Sequence, residues 1–337
     1  MLPLNFNFQQ VRTATTRSLR SATEENVFEV VDAVVADILS TKPLVNVQLR
    51  AVRFDRARPV ETVILPRSAP ERAATHVSVD SDGCLYVCGI DSKFICVTDR
   101  HGAAKCDMHI MHNGQRLPAQ NLRATAHDCA KIRLYVCDAD AAVVYCVDLQ
   151  GEVLFTSPAG AVTKPQGLSF CSRTRRVAVA DEKFVRILRA DDLSPIKILS
   201  HSGASACNSR LLADDFKNCC DVAFDANGFL YAVDNGANLV AVFDCTYVSF
   251  SIFGSFGSGD GQFNAARGVC IDGTGKVFVS DSTRLQMFDR QGRHVVSISP
   301  SSLDDALTWS QLGSMSVDAD GRLLVCSQGS KSLLRIL

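Results

Sequence analysis

Short apolar runs rich in Val, Ile, Leu, Phe and Cys recur along most of this chain, cut by polar turns that open with Asp and close with Gly. Runs of this kind, bounded by turn residues, predict strands joined by hairpins. The clearest copy is Gln262–Val295, QFNAARGVCIDGTGKVFVSDSTRLQMFDRQGRHV. Six copies align on the residue that ends the second strand: Val87, Val136, Val179, Ala232, Val279 and Val325. Their spacings are 49, 43, 53, 47 and 46 residues. Four copies open the first turn with Asp seven residues before that anchor (Asp80, Asp225, Asp272, Asp318) and close it with Gly83, Gly228, Gly275 and Gly321. A second turn follows at Asp99–Gly102, Asp148–Gly151 and Asp289–Gly292. Asp bonds the turn backbone and Gly supplies its positive φ, so the motif reads as turn chemistry and not as a calcium loop.

Two hairpin turns link three strands. Segments such as Val153–Phe155 and His294–Ile298 offer a fourth. Four strands per repeat describe the blade of a β-propeller, a unit that buries its apolar faces only against its neighbours. The expected fold is all-β, a six-bladed β-propeller over residues 60–337 with a short N-terminal α-helix. Copies two (Ala126–Val147) and three (Gly167–Leu188) lack the first Asp-x-x-Gly turn. They keep Leu134-Tyr-Val136 and Val177-Ala-Val179, each with Asp two residues on. Leu333–Leu337 is a third strand without a fourth, and residues 60–65 alternate in a way that would complete that last blade. Residues 1–20 are expected to be a flexible terminus and 21–59 a helix and linker. Ser21 to Glu24 forms a capping box, and Val27, Val30, Val31, Val34 and Ile38 follow at helical spacing up to Pro43. That helix is expected to pack on the propeller, or to oligomerise through residues 24–39.

Composition narrows the class. With 337 residues, 47% hydrophobic and 21% charged, the chain can build a large core. Its net charge of −1 gives no global attraction to nucleic acid or to an anionic membrane. No apolar run approaches the ~20 residues of a membrane span, and no secretory h-region follows Met1, so no membrane role is expected. Residues 1–23 hold Arg12, Arg17 and Arg20 and no acid, which is similar to a mitochondrial transit peptide. The cytoplasm is the expected location, and the mitochondrion is the alternative. Most of the 14 cysteines sit beside strand residues and none forms a Cys-x-x-Cys, which suits free thiols in a reducing compartment and argues against a structural zinc site or RING within this chain.

Phe253–Asp289 closely resembles the NHL repeat, through Gly259-Asp-Gly-Gln-Phe263, Gly268 and the Val279–Asp281 step. Lys164-Pro-Gln-Gly167 repeats the lead into a blade. Membership would imply a six-bladed recognition platform that binds single-stranded RNA or a protein, as in tripartite-motif and related proteins. With no RING, B-box or coiled coil here, any ubiquitination role would be that of a substrate adaptor. The family usually places Asn and Arg before the third strand; this chain keeps only Arg284, so Asp–Arg bracing is not expected in most blades.

The loops leading into the inner strands and the breaks between second and third strands share one face of a propeller. Arg72, Arg123, Lys164, Lys217 and Arg267 stand near the lead-ins, and Lys93, Lys183, Arg284 and Lys331 at the breaks. Such cations suit phosphates, although Asp138, Asp140, Asp181, Asp234 and Asp281 share the face and oppose their field. Phe216 and Phe263 also fall there, Phe263 at a packing position of the repeat, while Trp309 is open between packing and recognition. The candidate binding residues are Arg72, Arg123, Lys164, Lys217, Arg267, Arg284, Lys331 and Trp309. No nucleophile elbow or phosphate loop appears, and His76 and His127 are too few to hold a catalytic metal. No cofactor or metal is therefore expected. The function expected is a non-enzymatic platform for a protein partner, with single-stranded RNA binding as the alternative and a metal-dependent lyase or lactonase as a third reading.

Overall fold

The computed structural model describes residues 61–66, 74–200, 216–282, 284–299, 312–318, 320–327 and 332–336. All belong to the compact unit Leu49–Leu337. The helix assigned to 21–59 lies outside the described residues, among which no helix occurs.

The described strands form six four-stranded antiparallel sheets. Five are blades built from one continuous stretch each, running from an innermost to an outermost strand. Their innermost strands are Ala74–Val79, Leu122–Asp128, Gly167–Cys171, Cys219–Phe224 and Gly268–Ile271. The sequence pattern counts six equivalent copies, and here the structure departs from it. The copy around Val325 supplies three strands, Leu312–Val317, Leu323–Ser327 and Ser332–Ile336. Glu61–Ile64, from the other end of the fold, pairs antiparallel with Ser332–Ile336 as the fourth, so this sheet is composite. The innermost strands pack side by side in chain order, and Leu312–Val317 returns to Ala74–Val79.

The core lies between the sheets. Six apolar clusters each join residues of two neighbouring sheets. The second strands are buried throughout, as in Leu85–Gly89 and Leu230–Asp234. A strand covered on both faces reads as a continuous apolar run, which is why the pattern there does not alternate. The thirteen described cysteines are all unpaired, and most are buried among these strands.

The Asp-x-x-Gly turns have the expected chemistry. Asp272 Oδ1 accepts the amides of Thr274 (2.8 Å) and Lys276 (2.9 Å), while Gly275 adopts φ 85°. Copies two and three replace this device. Ile132 and Arg175 take the positive φ instead, and a charged cluster joins the two blades. Buried Asp128 Oδ2 accepts Arg133 Nε at 3.1 Å and Arg175 Nη1 at 2.7 Å. Asp191 in turn accepts Lys131 (2.7 Å) and Arg175 (2.9 Å). A small extra hairpin follows the outer strand of blade one, Met111–His112 with Gln115–Arg116, with His109 just ahead of it. Asn113 and Gly114, both at positive φ, make its two-residue turn.

The composite sheet depends on the outermost strand contributed by Glu61–Ile64. Val63 is buried against Leu85, Val87 and Leu333 in the cluster shared with the first blade, whereas Ile64 is 75% exposed. Val63→Ala is expected to lower the unfolding free energy by about 2 kcal/mol. Ile64→Ala should change it by less than about 0.5 kcal/mol. Equal losses in urea melts would show that this strand contributes no core.

Candidate functional site

Three buried carboxylates organise the face that carries the lead-in loops. Asp138 ends the second strand of blade two, Arg133–Asp138, and it accepts the amides of Gln120 (3.0 Å) and Asn121 (3.2 Å) in the loop leading into its own blade. It also accepts the amides of Asp140 and Ala141 in its turn. Asp181 takes the amides of Thr163 and Lys164, and Asp234 those of Lys217 and Asn218. These acids are inaccessible to solvent and accept backbone amides, so they fix the loops that carry the basic side chains.

Asp–Arg bracing also extends further than the sequence indicates. Arg284 Nε pairs with Asp281 at 3.0 Å, and its Nη2 donates to the carbonyls of Gly259 and Gln262, both at 2.9 Å. Arg284 thereby braces the loop leading into its blade. Arg186, two places into the third strand of blade three, pairs with Asp181 in the same way. Its offset from the position that Arg284 holds in blade five hides it from motif reading. Phe216 and Phe263 are core residues, Phe216 beside Phe243 and Phe263 beside Phe253 and Phe288.

Of the remaining described candidates, Arg123 and Arg267 stand at the channel mouth and Lys164 and Lys217 do not. The two arginines line a cavity of about 110 Å3 at the mouth of the central channel, with Thr75, His76, Gln166, Cys220, Asp221, Gly313 and Ser314. Four innermost strands begin with a register shift, at Ala74/His76, Leu122/Ala124, Cys219/Asp221 and Leu312/Met315. Arg123 therefore sits on a bulge, the irregularity that re-aims a side chain from the sheet. Lys164 and Lys217 stand exposed and apart from the mouth, Lys164 within 3.5 Å of Glu182. Arg72, Lys331 and Trp309 lie outside the described residues.

The channel below the mouth opens to about 320 Å3 and is lined by innermost strands of all six sheets. His127 Nε2 lies 3.0 Å from Ser78 Oγ, which also bonds Thr125 Oγ1, and the His127 ring meets Tyr86 edge-on. Burial lowers both His76 and His127 to a pKa of about 4. Among the described residues, no three His, Cys, Asp or Glu side chains stand close enough to share a metal ion.

Asp221 is the residue that sequence reading missed. Aligned through the strand pairing, its position holds His76, Ala124, Gly167, Gly268 and Ser314 in the other copies. A carboxylate at a position otherwise given mostly to small side chains was the available signal. It fits because its neighbour is glycine: a Cβ on Gly167 would lie 2.8 Å from Asp221 Oδ1 and 2.9 Å from its Cα. Val222 N donates to Oδ1 at 3.0 Å and Val269 N to Oδ2 at 3.1 Å, and Ser314 adds a side-chain bond. Burial outweighs these donors and pushes the carboxyl up to about 7.

No protein-family model matches the chain, and no curated protein matches it. Solved structures do resemble it. A protein of unknown function from Bacteroides thetaiotaomicron matches at TM-score 0.61 and 12% identity, over 82% of this chain and 74% of its own. A chain of a nidogen/laminin complex matches at 0.55 and 12%, over 72% and 84%. Hydrazine synthase from Kuenenia stuttgartiensis matches at 0.54 and 12%, over 80% and 97%. At such identities the likeness is one of fold alone: the chain is a β-propeller.

Two outcomes test this geometry. Asp138→Ala leaves buried amides without an acceptor and should cost about 3 kcal/mol. Amide exchange at Gln120 and Asn121 should accelerate more than the global loss requires, and exchange that merely follows global stability would show those loops to be held by other contacts. Asp221 is raised in the folded state, so its folded form holds a proton that the unfolded chain releases between pH ~4 and ~7. Stability from this group is full below pH ~4 and falls as pH rises to ~7, by about 4 kcal/mol at ~1.4 kcal/mol per unit. His76 and His127, lowered in the fold, act oppositely and lose stability as pH falls from about 6.5 to 4. The stability of Asp221→Asn relative to wild type should therefore rise with pH up to ~7 and then level off. A difference independent of pH in urea melts would show that Asp221 does not titrate in this range.

Proposed function

We propose that this chain is a non-catalytic, NHL-type platform whose composite sheet acts as the sixth blade and whose lead-in face docks a protein partner. The observation that carries the reading is the pairing of charge on that face. Lys164 is matched by Glu182 and Arg284 by Asp281, so these cations form no unopposed row for a phosphate backbone. Apolar side chains stand among them. Phe256, in the loop leading into blade five, is 72% exposed, and Ile90 is exposed at the rim of the channel mouth. Interleaved charge around exposed aromatic and aliphatic anchors is the composition of a protein interface. The nidogen/laminin neighbour, a protein–protein complex, agrees with this use of the fold.

Affinity purification with wild type and Phe256→Asp tests the proposal. Partners should be retained by wild type at high salt and lost by the variant, while the melting temperature stays within a degree or two because Phe256 is exposed. Single-stranded oligonucleotides give the opposing outcome. Binding to them that weakens steeply with salt and survives Phe256→Asp would replace the protein reading with the RNA one.

A further inference from the structure

We propose that the mouth of the channel is a binding site for a carboxylate group, clasped between Arg123 and Arg267. One residue ahead of each innermost position stands a ring that runs, in blade order, Thr75, Arg123, Gln166, Cys220, Arg267 and Gly313. All six line the single cavity of about 110 Å3. The two arginines are three places apart in a closed ring of six, hence on opposite walls. The other four members are neutral, and therefore the positive charge of the ring is concentrated along one diameter.

Both arginines are half-buried, and Arg123 makes no ion pair among the described residues. Low-dielectric walls strengthen their pull on an anion, and a guanidinium offers two parallel N–H donors to a carboxylate. The bulge at Leu122/Ala124 supplies a reason for Arg123 to leave the plane of its sheet.

The floor and the volume select among anions. Asp221 lies beneath, its oxygens occupied by Val222 N, Val269 N and the Ser314 side chain. Once Asp221 ionises, above about pH 7, a monoanionic carboxylate meets less repulsion there than a phosphate dianion. The cavity is also well below the ~300–1,000 Å3 typical of sites for drug-sized ligands, so it takes a terminal group and not a nucleotide. Such a carboxylate has two sources, the acidic side chain of a docked partner or a free small dicarboxylic acid. The first source rests on the docking function proposed above; the second does not.

Calorimetric titration of the full chain distinguishes them, with succinate, an end-blocked Gly-Glu-Gly peptide, its Gln counterpart and inorganic phosphate as probes. At least one carboxylate probe is expected to bind, and the Gln peptide is not. Affinity should fall by about tenfold or more in Arg123→Gln and vanish in Arg123→Gln/Arg267→Gln. If the double variant does not fold, Arg123→Gln alone decides. Succinate binding without peptide binding assigns the site to a free acid and leaves the docking function to its own test. Peptide binding without succinate binding assigns it to a partner's side chain. The proposal is overturned by phosphate binding tighter than either carboxylate, by unchanged affinity in Arg123→Gln, or by no binding of either carboxylate.

Discussion

No sheet of this ring can be stable alone, because each is apolar on both faces and finds cover only against the sheets beside it. The six apolar clusters all lie at such junctions, and none is contained within one blade. Closure follows from the same need. Without Leu312–Val317 returning to Ala74–Val79, two sheets would each expose a face that is elsewhere buried. The strand Glu61–Ile64 extends this logic to the outermost edge of the composite sheet, where an unpaired Ser332–Ile336 would present free backbone groups.

Closing the ring crowds its centre. Innermost strands approach so nearly that a Cβ on Gly268 would come within 2.4 Å of the Gly313 carbonyl oxygen. Small side chains at this level are a packing requirement, and the exceptions stand out against it. Asp221 is accommodated by the missing side chain of Gly167, and Arg123 by a bulge that carries it out of the sheet. Departures from the repeat at the channel mouth thus have local structural compensation.

Buried charge does two different jobs. Asp138, Asp181 and Asp234 are anchored by amides of their own blades, so their burial orders the loops above them at little electrostatic cost. Between blades two and three, Asp128, Asp191 and three cations replace the turns that the other copies use. Removing Asp128 leaves Arg133 buried without its nearest counter-charge, which costs far more than the exposed Lys131–Asp191 pair is worth.

The sequence by itself determined the strands, their turns and the propeller, because each is a local consequence of residue order. Asp at one turn position and Gly three places later close a hairpin wherever they occur, and the outer strand at His294–Ile298 is legible from its own composition. It also identified Arg123 and Arg267 as candidates. Only the tertiary structure separated these two from Arg284, because the carbonyls of Gly259 and Gln262 that Arg284 satisfies belong to a loop more than twenty residues away. Asp221 was hidden for a related reason. Its significance depends on Gly167 beside it and on Val269 from the next blade, contacts that no local pattern encodes. Repetition is written in the chain, but the convergence of Thr75, Arg123, Gln166, Cys220, Arg267 and Gly313 at one mouth arises only when the ring closes.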